Sequence, residues 1–346
     1  MTKVIAPDSL DEVQEVIRDA AHDGATVAFA GSGSTRSTGK RPADVVISSS
    51  GMRGAVVYEP DDMTVVLRPG TTLFELSEIL AERSLTAVLP ETTPERTIGG
   101  VIAAGSSGYS RLRQGPTRDR VLGMTLVTGY GDVVHGGGRV VKNVTGYDLP
   151  RMATGSRGTL GFIGEVCLKL LPEPAEKRTV AFSQASDAVT AAYRPLAVLE
   201  TESDSRVYVE GTEASIASVL APMSGKASPG HAWPAPLDDP YVLSIRVSPR
   251  NLAAAIDAVR QAGAARFVAQ HGVGVVDAGF ASFSIEGLER LRTAVHGAVV
   301  VTQWPVGGFQ PEAWGFVPDA AATQRRMIDL FDPSGVLDLG QLPGEK

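Results

Sequence analysis

The chain has 346 residues, 43% of them hydrophobic and 21% charged, with a formal net charge of −7 at pH 7 and a single cysteine. That length has room for two domains, or for one large domain with an insertion, around a sizeable core. An acidic balance without a Lys/Arg-rich run argues against nucleic acid as the main partner, and a lone Cys167 excludes intrachain disulfides, cysteine-ligated iron–sulfur clusters and thiolate zinc sites within the chain.

The first residues, MTKVIAPDSLDE, show no apolar stretch between a basic start and a small-residue cleavage site. No apolar run approaches the roughly 18–20 residues needed to cross a bilayer, so a cytoplasmic protein with at most peripheral membrane association is expected. Ser9 with Glu12 three residues on is a capping-box pattern ahead of Leu10, Val13, Val16, Ile17 and Ala20, which predicts an amphipathic helix ending near Asp23-Gly24. A strand expected over 25–31 runs into Gly31-Ser32-Gly33-Ser34-Thr35-Arg36. A dinucleotide fingerprint would need a third glycine and a helix directly after it; Ser37 to Pro42 follow without helical period, and the Walker A spacing is missing too. A glycine and hydroxyl loop of this kind either cradles a pyrophosphate through its backbone N–H groups or simply turns.

Short strands are expected over 44–48, 55–60 and 64–70, then a helix over 72–83 with Leu73, Leu76, Ile79 and Leu80 inward, an alternation typical of α+β subdomains. Thr97-Ile98-Gly99-Gly100 opens a small-residue segment reaching Gly108, in which Ala103, Ala104 and Gly105 add almost no bulk. A flat ring system fits against such a wall, and close helix packing uses the same residues. Arg111, Arg113, Arg118 and Arg120 read as a solvated or phosphate-facing loop, and a hairpin is expected around 129–132.

The most informative stretch is KNVTGYDLPRMATGSRGTLGFIGEVCLKLL, residues 142–171. Gly155, Gly158, Gly161 and Gly164 recur at a spacing of three, with Ser156 and Thr159 between them. Such a backbone comes close to a large, flat or phosphorylated ligand, or turns ahead of an ordinary core strand. Cys167 reads as an inert core residue of that strand.

Composition changes after Pro172-Glu173-Pro174, which places a domain boundary there. Strands and helices over 178–223 form one αβ set, and a Pro/Gly/Ser-rich connector over 224–240 separates it from a second. The second set runs β, α, β, β, α, β over 241–305, an order that suits an antiparallel sheet covered by helices on one face. The tail shows a helix ended by Asp332-Pro333 and then an extended arm that must dock to stay ordered.

Taken together, GSGSTR, the PG and LP segments ahead of TIGG, IAAG, then KNVTGYDLPRMATGSRGTLGFIGEV and FDPSGVLDLG resemble the FAD-binding domain of the vanillyl-alcohol oxidase and p-cresol methylhydroxylase superfamily. KNVTGYDL with a short C-terminal half resembles the FAD-binding E subunit of bacterial glycolate oxidase. The resemblance implies an α+β fold: a two-subdomain FAD-binding domain over 1–174, a smaller antiparallel-sheet domain over 175–305, and a helix and arm over 306–346 returning to the first. It implies that Gly31, Ser32, Gly33, Ser34 and Thr35 hold the pyrophosphate of FAD. Thr97, Ile98, Gly99, Gly100 and Gly105 would wall the ribityl and ring region. Ser156, Gly158, Thr159, Leu160, Gly161 and Ile163 would hold the remainder. This chain departs from the pattern at Arg157, where the family has an acid, and at Asp338-Leu339-Gly340, where the family tail reads NPG. With neither His nor Cys in the pyrophosphate loop, noncovalent FAD is expected.

The resemblance also implies partners: a homologous catalytic flavoprotein and an iron–sulfur subunit acting together on a small 2-hydroxy acid such as glycolate or D-lactate. A self-sufficient FAD oxidase or dehydrogenase, and a FAD-bound scaffold without turnover, are the alternatives. Oxidising a 2-hydroxy acid requires a base, a cation for the carboxylate and a flavin. None of the five histidines is spaced as a paired metal motif, so no metal is expected. The candidates toward substrate are His271, in the AQHGVG hairpin, and Arg246, with Arg266 in the same sheet.

Overall fold

The computed structural model describes residues 2–33, 42–138, 148–183, 185–191, 193–305, 311–337 and 342–343. The chain forms two units, the first made of Met1–Gly108, Pro116–Glu173 and Pro318–Lys346, the second of Tyr109–Gly115 and Pro174–Val317.

The first unit begins with β1 (Lys3–Ile5), α1 (Leu10–Asp23), β2 (Val27–Ala30), β3 (Val45–Ser48), β4 (Ala55–Glu59), β5 (Thr64–Leu67), α2 (Leu73–Ala81), β6 (Leu85–Thr86) and α3 (Ile98–Ala104). The chain enters the second unit for one short helix, α4 (Arg111–Gln114), and returns for β7 (Val121–Val127), β8 (Val133–Gly137), α5 (Leu149–Ala153), β9 (Phe162–Lys169) and β10 (Leu171–Pro172). Capping explains the helix ends. Ser9 accepts from the Glu12 amide, and Gly24 closes α1 in the left-handed conformation at φ 67. Thr72 and Glu75 form a full capping box, so α2 begins one residue after the expected start, with Thr72 as cap, and ends at Ala81. The small-residue segment is the helix α3, capped by Thr97 and closed by Gly105.

Two sheets carry this unit. β1, β3 and β2 are parallel, in that order, with α1 above them burying Val13, Ile17 and Ala20 at helical spacing. The parallel pairing and β1 were not expected from the sequence. β4, β5, β9, β7 and β8 form an antiparallel sheet in that order. Its middle strand β9 is buried on both faces, and Cys167 lies in its core. The polypeptide from Pro318 onward belongs to this unit through α10 (Ala321–Phe331). There the Asp332 carboxylate accepts the amides of Val336 and Leu337, and Val336 and Leu337 join the core beneath α1.

The second unit continues with β11 (Glu176–Phe182), α6 (Ala185–Ala191), β12 (Ala197–Thr201), β13 (Ser205–Gly211), α7 (Glu213–Leu220), β14 (Lys226–Pro229), β15 (Tyr241–Val247), α8 (Leu252–Gln261), β16 (Arg266–Gln270), β17 (Val275–Phe280), α9 (Ile285–Ala294) and β18 (Gly297–Gln303). The β, α, β, β, α, β order of its later half is as read from the sequence. What differs is the extent: the two αβ sets merge into one eight-stranded antiparallel sheet, ordered β14-β11-β13-β12-β16-β17-β15-β18, because β12 pairs with β16. The connector also contributes an edge strand, β14, paired with β11. Pro229 is tolerated there because an edge strand needs hydrogen bonds on one side only.

Alternation sorts the side chains of this sheet. Leu243, Ile245, Phe267, Ala269, Val276 and Ala278 pack with Leu252, Ile256 and Val259 of α8 and with Leu288 and Leu291 of α9. Val180, Val198, Val207 and Val209 pack with Ala188 of α6 and Ile216 of α7. Each such fully buried aliphatic side chain contributes roughly 1.5–3 kcal/mol. The opposite face carries Ala197, Leu199, Tyr208 and Val268, with Tyr109 and Trp233 against them. Among the described residues, no helix is long and apolar enough to cross a membrane.

Candidate functional site

The first unit contains a cavity of about 290 Å³ where three backbone segments converge: the end of β2 with Gly31–Gly33, the start of α3 at Thr97–Gly100, and the loop from Arg157 to Ile163. Close backbone approach assembles it. A Cβ on Gly31 would lie 2.1 Å from Oγ1 of Thr97, the hydroxyl that caps α3, so only glycine lets the two segments meet. Gly158, at φ +87, lies over the ring of Phe29, where a Cβ would come within 2.8 Å. Phe29 in turn meets Phe162 edge to face at 5.3 Å, fixing the apolar floor.

The amides at the start of α3 are already used by the protein. Ile98 donates to the Thr71 carbonyl, Gly99 to the Pro69 carbonyl and Gly100 to the Thr97 hydroxyl. The helix therefore offers the cavity a flat surface without side chains. The segment after α5 is tied to α3 in the same way, with the amides of Gly155 and Arg157 donating to the carbonyls of Ile102 and Ala103.

Among the described residues, the charged side chains in the lining are Arg96 and Arg157, and no carboxylate lines the cavity. Arg96 donates to the Ser106 hydroxyl at 2.9 Å. Desolvation lowers the pKa of its guanidinium and the nearby Glu95 opposes that, yet an arginine remains cationic throughout the physiological range. Arg157 is held in the left-handed region at φ 55, a conformation that costs an L residue about 1–3 kcal/mol. Two cations, glycine-lined backbone and an aromatic floor make a receptor for an anion joined to a flat apolar group.

Of the residues singled out in the sequence, Gly31, Ser32, Gly33, Thr97, Gly99, Gly100, Gly158, Gly161 and Ile163 line this cavity. Ser34 and Thr35 lie outside the described residues, as do most of KNVTGYD and Asp338-Leu339-Gly340. Ile98, Thr159 and Leu160 are buried in the surrounding packing, and Ser156 accepts the Thr159 hydroxyl through its carbonyl. Gly105 ends α3, and a Cβ there would lie 3.1 Å from the Cα of Gly155. These five support the walls. Arg96, Ser49, Pro69 and Phe29 line the cavity and were missed. Only Arg96 had a signal, since it immediately precedes the Thr97 cap.

In the second unit, Nε2 of His271 pairs with Glu200 at 2.9 Å, and Glu200 with Arg260 at 2.9 Å, on the helix-covered side of the sheet. Arg266 pairs with Asp238 and, at 2.7 Å, with Asp239. Arg246 is exposed on β15.

Comparison with known proteins supplies the identity of the ligand. The family described as an FAD binding domain matches residues 1–137. The chain carries an FAD binding domain. It is 31% identical over 229 residues to glycolate oxidase subunit GlcE of Escherichia coli (strain K12), covering 63% of this chain and 65% of that protein. It is 32% identical over 180 residues to glycolate oxidase subunit GlcD of Bacillus subtilis (strain 168), covering 51% of this chain and 38% of that one. The chain thus spans less than two thirds of the length of either relative. Alkyldihydroxyacetonephosphate synthase superposes with a TM-score of 0.72 over 96% of this chain and 75% of its own, at 16% identity, which shows a common fold. The chain is α+β with the FAD-binding fold of the p-cresol methylhydroxylase type, and it is related to FAD-linked oxidoreductases. The cavity fits FAD in its chemistry: cations for a diphosphate, and side-chain-free walls over an aromatic floor for a flat ring.

Proposed function

We propose that this chain is the FAD-holding subunit of a complex that oxidises a small 2-hydroxy acid such as glycolate or D-lactate, exchanging electrons with a homologous catalytic flavoprotein and an iron–sulfur subunit. The observation that carries this reading is the cavity lined by Gly31–Gly33, Thr97–Gly100 and Arg157–Ile163, with Arg96 and Arg157 the charged side chains among its described residues. The relatives named as glycolate oxidase subunits support the substrate class. One buried cysteine cannot build a cluster, so the iron–sulfur relay belongs to a partner.

Bound FAD supplies a two-electron acceptor. The work of the chain is to hold it: Arg96 and Arg157 balance the diphosphate charge, the glycine backbones admit the ligand without side-chain bulk, and Phe29 and Phe162 keep water from the floor. Binding is noncovalent, because residues 31–42 include no His or Cys and Cys167 is buried in β9.

Purification of the chain alone, a flavin spectrum, and anaerobic addition of glycolate and D-lactate test the reading. The chain purified alone should be yellow with a flavin that neither acid bleaches, and in a separate purification from cells that make its partners it should bring an iron–sulfur protein with it. Bleaching of the isolated chain would make it self-sufficient instead. A colourless protein that takes up no added FAD would overturn the proposal.

A further inference from the structure

The face of the second unit's sheet opposite α6, α7, α8 and α9, against which Tyr109 and the short helix α4 lie, holds a polar set that the FAD cavity does not use. Strand register brings the set together. Gln270 on β16 stands opposite Val275 on β17, and Val275 opposite Arg246 on β15. One row along, Val268, Asp277 and Ser244 stand opposite one another. Positions two apart project to the same face, so Gln270, Asp277, Ser244 and Arg246 occupy two adjacent rows on one side. Strands about 4.8 Å apart confine them to a patch about 10 Å wide.

Each member has a distinct chemical character. Gln270 is 5% exposed, yet its Oε1 has no hydrogen-bond partner among the described residues. An amide oxygen buried in that way costs about 1–3 kcal/mol, and a ligand that donates to it removes the cost. Ser244, 6% exposed, hydrogen-bonds the carboxyl of Asp277. Burial pushes that carboxyl above its ordinary range, opposed by Ser244 and by the positive charges of Arg246 and Arg111. On the β13 side the face is closed by the stack of Tyr208 on Trp233, with ring centroids 4.1 Å apart. Arg266 is held by Asp238 and Asp239, whereas Arg246 makes no ion pair among the described residues.

We propose that Ser244, Arg246, Gln270 and Asp277 form a site on this chain for a small 2-hydroxy carboxylate. Arg246 takes the carboxylate, and the Gln270 amide oxygen accepts the hydroxyl hydrogen beside Asp277. The class of ligand rests on the function proposed above; the site itself rests on the register and on the unpartnered Gln270.

Titration calorimetry of the flavin-loaded protein with glycolate, D-lactate and acetate tests it. Both hydroxy acids should bind, and acetate, lacking the hydroxyl, about tenfold or more weakly. Arg246→Gln alters an exposed side chain and should weaken all three by about tenfold or more. Gln270→Leu should bring the hydroxy acids down to the level of acetate; if that variant fails to fold, Arg246→Gln decides alone. No heat with the wild-type protein, or equal binding by Arg246→Gln, overturns the site. The two proposals fail separately. A flavin-loaded, partner-bound protein that ignores the acids loses this site and keeps its function, while a colourless protein that binds them through Arg246 keeps the site and loses the flavin reading.

Discussion

The FAD cavity of the first unit and the polar face of the second solve the problem of recognition by opposite means. The cavity is built largely from backbone: Gly31, Gly99 and Gly158 sit where a Cβ would meet Thr97, Pro69 or Phe29 at under 3 Å. The sheet face is built from side chains that stand on three strands, with a flat backbone beneath them. A backbone site is rigid, tolerant of which neighbouring side chains surround it and intolerant of added bulk. A side-chain site is the reverse, since a single truncation removes its chemistry while the sheet survives.

The largest effect should therefore come from the smallest addition. Gly31→Ala places a methyl 2.1 Å from Oγ1 of Thr97, so either the β2 end or the cap of α3 must move. Overpacking of this kind costs about 1–3 kcal/mol in stability. Because the displaced atoms are the cavity wall itself, flavin per chain, read from its visible absorbance, should fall to about a tenth or less. Retention of full flavin would mean that the wall yields, and the contrast between the two regions would be lost.

Next in size are the two cations. Charge-assisted hydrogen bonds contribute about 1.5–3 kcal/mol each, so Arg96→Gln and Arg157→Gln should each weaken FAD by about tenfold or more, and added salt should weaken the wild type most. Arg157→Gly sharpens the point. It relieves the left-handed strain at φ 55 while removing the charge, so the flavin-free protein should melt higher although it binds FAD less tightly. Unchanged affinity would show that Arg157 points its charge elsewhere.

The same contrast explains what was legible. A backbone site leaves local traces: the loop from Gly31, the TIGG segment and the glycine spacing around Gly155–Gly164 marked all three walls, and Ser9 with Glu12 marked the start of α1. The sheet face leaves none. Gln270, Asp277 and Ser244 lie at sequence separations that acquire meaning only once β16, β17 and β15 are in register. Arg246 was noticed as a cation, but nothing in its neighbours announced Gln270. His271 shows the same limit from the other side. Its hairpin position was plain, whereas its partner Glu200 lies 71 residues away, and that pairing sets the ring against the helix side. The merging of two αβ sets into one sheet was hidden for the same reason, because it depends on the single non-local pairing of β12 with β16.

That Glu200 pairing provides the smallest and most selective test, since it acts on the stability of the second unit and leaves the flavin untouched. The hydrogen bond from His271 holds the Glu200 carboxyl below its ordinary value of 4.5, burial opposes this, and Arg260 adds to the lowering. A carboxyl depressed in the folded state binds its proton more readily when unfolded, so its stabilisation is complete above 4.5 and is lost as pH falls through the depressed folded value. Glu200→Gln removes that dependence along with the charge. The variant should be less stable than the wild type by on the order of 1–3 kcal/mol above pH 4.5, and the gap should close only as pH falls below that value. Flavin content should match the wild type across the whole range. A gap that closed above pH 5, or a loss of flavin, would mean that Glu200 does more than brace His271 against α8.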